Sequence, residues 1–99
     1  MLFAVRFYDI DDGLSIRNAH MDAHLAWLGA NDDAIVAAGP LRTGDPESTP
    51  VGALWLVRAK DYASAEALLA GDPFMKNGLR AKTEIYHWSK GYPSYTVEI

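Results

Sequence analysis

The stretch AIVAAGPLRTGDPESTPVGALWLVR, residues 34–58, decides the fold. It holds two apolar runs, residues 34–38 closed by Gly39-Pro40 and then Val51 to Arg58. Between them lies a polar segment, Arg42 to Pro50, punctuated by Gly44, Pro46 and Pro50. That segment is too short to carry a crossover helix, so the two runs read as strands joined antiparallel.

Upstream, residues 2–8 alternate as a strand does, with Phe3, Val5 and Phe7 on one face and Ala4, Arg6 and Tyr8 on the other. Asp11-Asp12-Gly13 breaks the strand. Leu14, Met21, Leu25 and Leu28 then recur at helical spacing and predict a helix over 14–30, ended by Gly29 and Asn31-Asp32. Downstream, residues 62–71 predict a second helix, with Asp61 as N-cap and Gly71 as stop. Asp72-Pro73-Phe74 and a turn at Lys76-Asn77-Gly78 lead to a fourth strand over 79–88, and Gly91-Tyr-Pro93 leads to a tail strand, Tyr95 to Ile99. The order β-α-β-β-α-β is that of an α+β, ferredoxin-like sandwich with a four-stranded antiparallel sheet. One domain over residues 1–99 is expected, with residues 89–99 as a C-terminal tail.

The 99 residues are 49% hydrophobic and include no cysteine. Disulfides, thiol catalysis and cysteine-held metals are therefore excluded. A formal charge of −4 and scattered Lys and Arg argue against nucleic acid or an anionic membrane as partner. The longest apolar runs fall well short of the about 20 residues that a bilayer span needs. The N-terminus enters a strand pattern without a basic lead-in, so the expected location is the cytoplasm. Two helices cover one face of a four-stranded sheet, and Tyr8, Trp55 and Val57 are expected on the other. Such a patch calls for a partner, and sheet-to-sheet homodimerisation would bury it.

At about 100° per residue, Arg17, His20, His24 and Trp27 gather on one shoulder of the apolar helix stripe, within an arc of roughly 80°. Arg17 and His24 stand nearest the core edge. The fourth strand should run antiparallel beside the first, so its start lies at the first strand's end, where the first helix begins and the second finishes. Asp72 should therefore reach the edge where Arg17, His20 and His24 stand. A carboxylate on one imidazole nitrogen fixes the tautomer and leaves the other nitrogen to take a proton. Arg17 would hold an anionic substrate or lower the pKa of Asp72, and Arg6 would line a cleft from the open sheet face.

Plainer readings stand beside this one. His24 suits a boundary histidine satisfied by a carbonyl or by Asp72, and Asp before Pro is ordinary turn chemistry. His20 and His24, four apart, have the spacing of a zinc pair, but no Glu follows the first and the third ligand is missing.

Arg17 with His24 in Ala23-His24-Leu25-Ala26-Trp27-Leu28, then Ala38-Gly39-Pro40, then Asp72-Pro73-Phe74, resembles in order and spacing the YCII-related (YciI-like) family from Leu2 to about Trp88. The resemblance implies a domain that dimerises into an α/β barrel, as homodimer or higher assembly; the tail from Gly91 onward lies outside the resembling pattern and is expected to pack on the dimer. It implies a catalytic His24–Asp72 dyad, a substrate contact from Arg17, a small-molecule ligand, and neither metal nor cofactor; His20 and, from its place on the open sheet face, Arg6 are further candidate substrate contacts. His20 matches a histidine that only some members carry. Some relatives are dehydrochlorinases, and the wider superfamily holds muconolactone isomerases and small oxygenases. The expected function is a lyase or isomerase acting on a small anionic or aromatic-derived substrate; the alternative is a non-catalytic ligand-binding module.

Overall fold

The computed structural model describes residues 1–99. Its elements are β1 (Leu2–Asp9), α1 (Leu14–Ala30), β2 (Ile35–Leu41), β3 (Gly52–Arg58), α2 (Tyr62–Leu69), α3 (Pro73–Lys76) and β4 (Arg80–Trp88). All sheet pairings are antiparallel, in the order β2-β3-β1-β4. This is the split βαβ arrangement that the order of elements predicts, with β1 and β3 central.

Several boundaries moved for identifiable reasons. β2 runs through Gly39-Pro40 to Leu41, because it is an edge strand and a missing proline N–H costs nothing on the open side. The second helix stops at Leu69, and Asp72-Pro73 starts a separate one-turn helix, α3, with Asp72 as N-cap and proline in its first turn. Gly78, at φ 78°, turns the chain from α3 into β4. Asp12, at φ 57°, makes the corresponding turn before α1. The tail after Trp88 forms no strand.

The core lies between the sheet and the helices. Val5, Phe7, Ile35, Ala53, Trp55, Val57 and Leu69 form its main buried cluster, against which Trp27, Leu28, Leu68, Met75 and Ile85 pack. The expected exposure of Trp55 and Val57 is overturned. The register Val5–Trp55 and Phe3–Val57 places both on the helix-covered face, and they are 1% and 0% exposed. The open face instead carries Ala4, Arg6 and Tyr8 with Leu54 and Leu56 across from them on β3 and Lys82, Glu84 and Tyr86 on β4.

α1 is also turned from its expected orientation. Leu14 and Leu25, assigned to the core stripe, are 47% and 55% exposed, while the buried residues of the helix are Arg17 and His24. Seven residues apart, these two share a face. Burying them is tolerable because each meets a carboxylate from another element. The apolar stripe is left to wall a cavity against β2, where Ala38, Gly39 and Pro40 offer little bulk to fill it.

Candidate active site

His24 reaches the sheet from the middle of α1, and Asp72 comes from the N-terminus of α3. Their side chains meet with His24 Nδ1 2.7 Å from Asp72 Oδ1, and both are buried. The same Oδ1 accepts the Phe74 backbone N–H at 3.1 Å, so the turn chemistry of Asp-Pro and the imidazole contact coexist in one residue. Asp72 Oδ2 is buried with no partner. The imidazole stacks on Phe74, with ring centroids 4.0 Å apart and planes 14° from parallel, and lies 6.0 Å from the Trp55 ring. One carboxylate and two aromatic neighbours thus fix its orientation. His24 Nε2 has no protein partner and is not sealed away.

A cavity of about 350 Å³ opens at this point, between α1 and the β2–β3 side of the sheet. Arg17, His24, Trp55, Phe74 and Arg80 line it, with the apolar stripe of α1 opposite the short side chains of β2. Asp72 is not among the lining residues; it stays screened from the cavity.

Arg17 lies at the same edge as expected, but it answers to a different carboxylate. Its Nε and Nη2 donate to Asp9 Oδ2 at 2.9 and 2.8 Å, and Nη2 also donates to the Gly52 carbonyl at 3.2 Å. Arg80 Nη1 donates to the other oxygen, Asp9 Oδ1, at 2.7 Å. Asp9 is therefore clamped between two guanidinia, and the three side chains are 7%, 2% and 2% exposed for Arg17, Arg80 and Asp9. Burial pushes the Arg80 guanidinium below its usual value; Asp9 opposes this by hydrogen bond and charge, while neighbouring Arg17 adds to the lowering. Arg80 Nε is buried without an acceptor.

Asp9 and Arg80 escaped the sequence reading. The topology that brings Asp72 to this edge brings them there as well, since the end of β1 faces the start of β4 and the register pairs Asp9 with Arg80. In the sequence Asp9 stands between the strand pattern of residues 2–8 and the acidic Asp11-Asp12 turn, and Arg80 is one of several scattered cations, so neither carries a signal of its own.

The remaining candidates lie elsewhere. Arg6 is on the open sheet face, its guanidinium 4.0 Å from the Tyr8 ring centroid and hydrogen-bonded to the Phe7 carbonyl. His20 is half-buried on α1 and does not line the cavity. No group of three or more His, Asp or Glu side chains converges as a metal ion would require. No helix is long and apolar enough to cross a membrane.

The YCII-related domain family matches residues 1–89 of the chain. Among solved structures, 5-chloro-2-hydroxyhydroquinone dehydrochlorinase from Burkholderia phenoliruptrix, in complex with 2,5-dihydroxybenzoquinone, superposes with a TM-score of 0.80 at 30% identity, covering 92% of this chain and 96% of the enzyme. An uncharacterised NIPSNAP domain protein from Burkholderia xenovorans is more distant, with a TM-score of 0.49 at 18% identity over 94% of this chain and 99% of that one. A search of curated proteins found no match.

Proposed function

The chain belongs to the YCII-related family, and from that premise we propose that it is a small-molecule enzyme of lyase or isomerase type working through His24 and Asp72. The observation that carries this reading is the 2.7 Å contact between His24 Nδ1 and Asp72 Oδ1 beside a cavity of about 350 Å³. A carboxylate accepting from Nδ1–H leaves the lone pair on Nε2 and stabilises the imidazolium once that nitrogen is protonated. Nε2 takes a proton from a hydroxyl or an acidic carbon of the substrate. In a lyase the electron pair released drives out a leaving group, which departs with its bonding pair. In an isomerase the imidazolium returns the proton to another carbon.

The dehydrochlorinase at 30% identity supports the elimination branch, with a chlorinated, hydroxylated ring as substrate and chloride as leaving group. The cavity is at the small end of ligand sites, which suits one substituted ring. Chloride release from chlorinated hydroxyhydroquinones is the assay. The wild-type protein is expected to turn over, and His24→Ala to lose on the order of 10²–10⁴ in kcat. Asp72→Asn keeps an acceptor for the Phe74 N–H and should lose rate with little loss of stability. Wild-type turnover by His24→Ala refutes the reading.

One observation favours a second reading, a ligand-binding module without chemistry. Asp72 also caps α3 and His24 stacks on Phe74, so the pair contributes to packing whether or not it moves protons. This reading predicts ligand binding without turnover.

The assembly belongs to the same proposal. Leu54 and Tyr86 are about half exposed on the open sheet face beside Leu56 and Tyr8, and a second copy packed there would make the dimeric barrel of the family. The tail, residues 89–99, would then lie against that dimer. Light scattering that gives a monomeric mass at micromolar concentration would reject this assembly.

A further inference from the structure

We propose that Arg17 and Arg80 form an oxyanion-binding pair for the substrate, held in place by Asp9, and that the site selects a ring carrying one negative charge. The proposal rests on the proton-transfer reading of His24 and names the substrate class for that same site. Both guanidinia line the cavity that His24 lines. Both are anchored from behind, Arg17 through Nε and Nη2 and Arg80 through Nη1, all to Asp9. Arg17 Nη1 and Arg80 Nη2 have no protein acceptor and remain as donors.

Phe74 gathers these groups. The imidazole centroid is 4.0 Å from the Phe74 centroid, and the guanidinium carbons of Arg17 and Arg80 are 5.4 and 5.5 Å from it. A single hydroxylated ring spans this arrangement, with one oxygen on the guanidinia and a proton presented to His24. Charge decides the selectivity. Two guanidinium charges meet only one directly bonded carboxylate, Asp9, and Asp72 acts on Arg80 at longer range, as the weakest of the influences on it, so the cavity wall at this point presents mainly positive charge. Asp72, the other carboxylate, does not line the cavity and spends its hydrogen bond on the imidazole. An enolate or phenolate that develops as His24 withdraws a proton therefore forms opposite an oriented cation pair that needs no reorganisation. Asp9 acts through the arginines, as a positioning residue.

The test uses 4-nitrophenol as probe, read by its phenolate absorbance, and 4-nitroanisole as its neutral counterpart, read by titration calorimetry, with no turnover required. On the wild-type protein, bound 4-nitrophenol should ionise at lower pH than it does free in buffer. Arg17→Met and Arg80→Met should each weaken phenolate binding by about ten-fold or more while leaving 4-nitroanisole unchanged. Arg80→Lys should recover part of the loss, since charge returns without the fork. His24→Gln should keep the phenolate preference, which separates this proposal from the catalytic one. Failure of 4-nitrophenol to bind, or ionisation at the same or higher pH when bound, overturns the pair on the wild-type protein alone. Equal losses for phenolate and anisole in the arginine variants overturn it too, and leave the role of His24 standing.

Discussion

Asp9→Asn is the substitution that most directly probes how this edge of the molecule is held. The asparagine has nearly the same volume but lacks the charge, and one of its two terminal atoms becomes a donor. That atom faces an arginine that can only donate, so either the two contacts to Arg17 or the one to Arg80 are lost. Arg80 Nε is already unpartnered, so nothing nearby takes up the slack. All three side chains are under 10% exposed, so solvent screening gives little relief. Removing one partner from a buried ion network costs about 3–5 kcal/mol. A chain of this length has on the order of 5–15 kcal/mol of folding free energy in total. At about 4–8 °C per kcal/mol, even the lower figure moves Tm down by roughly 12–24 °C. Circular dichroism melts and urea titrations at one fixed protein concentration measure it. A companion variant, Asp9→Leu with Arg17→Met and Arg80→Met, should recover much of the loss, because the penalty comes from uncompensated charge rather than from a missing attraction. An Asp9→Asn protein within about 0.5 kcal/mol of wild type would refute this account of the edge.

Other consequences are independent of that network. Gly52→Ala should destabilise by at least about 1–3 kcal/mol, since a Cβ there runs into the Phe7 carbonyl oxygen and the Arg6 guanidinium in the β1–β3 ladder; a urea midpoint equal to wild type would contradict it. Phe74→Ala should cost about 3–5 kcal/mol as a fully buried aromatic and should also release the His24 ring, visible as averaged imidazole resonances in NMR spectra. Glu84 is held below the usual carboxylate range by the Tyr8 and then the Tyr86 hydroxyl, so Tyr8→Phe should move its titration upward, followed through the side-chain carboxyl signal. Because the folded-state value is depressed, Glu84 contributes stability above the unfolded value of about 4.3, and that contribution fades as pH falls through the depressed one. Tyr8 is raised by the same bond, so its contribution is present below about 10 and is lost as pH climbs through the raised value.

The topology was legible in the chain because it depends on local signals. Alternation over residues 2–8, the short polar Arg42–Pro50 connection, the capping residue Asp61 and the Asp72-Pro73 turn each act over a few positions, and together they leave one order of elements. That order also brought Asp72 to the edge occupied by His24. Side-chain facing was less legible. Trp55 and Val57 alternate with Leu54 and Leu56, and two apolar rows on one strand give no sign of which faces the helices. The register against Phe3 and Val5 settles it.

The first helix shows the same division. Its periodicity gives a helix, yet hydrophobicity by itself points Leu14 and Leu25 inward, and the fold turns them to the cavity rim. What reverses them is the pair of carboxylates, Asp9 and Asp72, that make Arg17 and His24 the better residues to bury. They arrive from positions 8 and 48 residues away along the chain, respectively. The sequence by itself thus determined the four sheet strands, the two longer helices, their order and the His24–Asp72 juxtaposition, but not α3, the tail or the part played by Asp9 and Arg80. Tertiary structure decided which faces are buried, which carboxylate answers which cation, and where the cavity opens, because a buried charge is stable only where a distant segment supplies its partner.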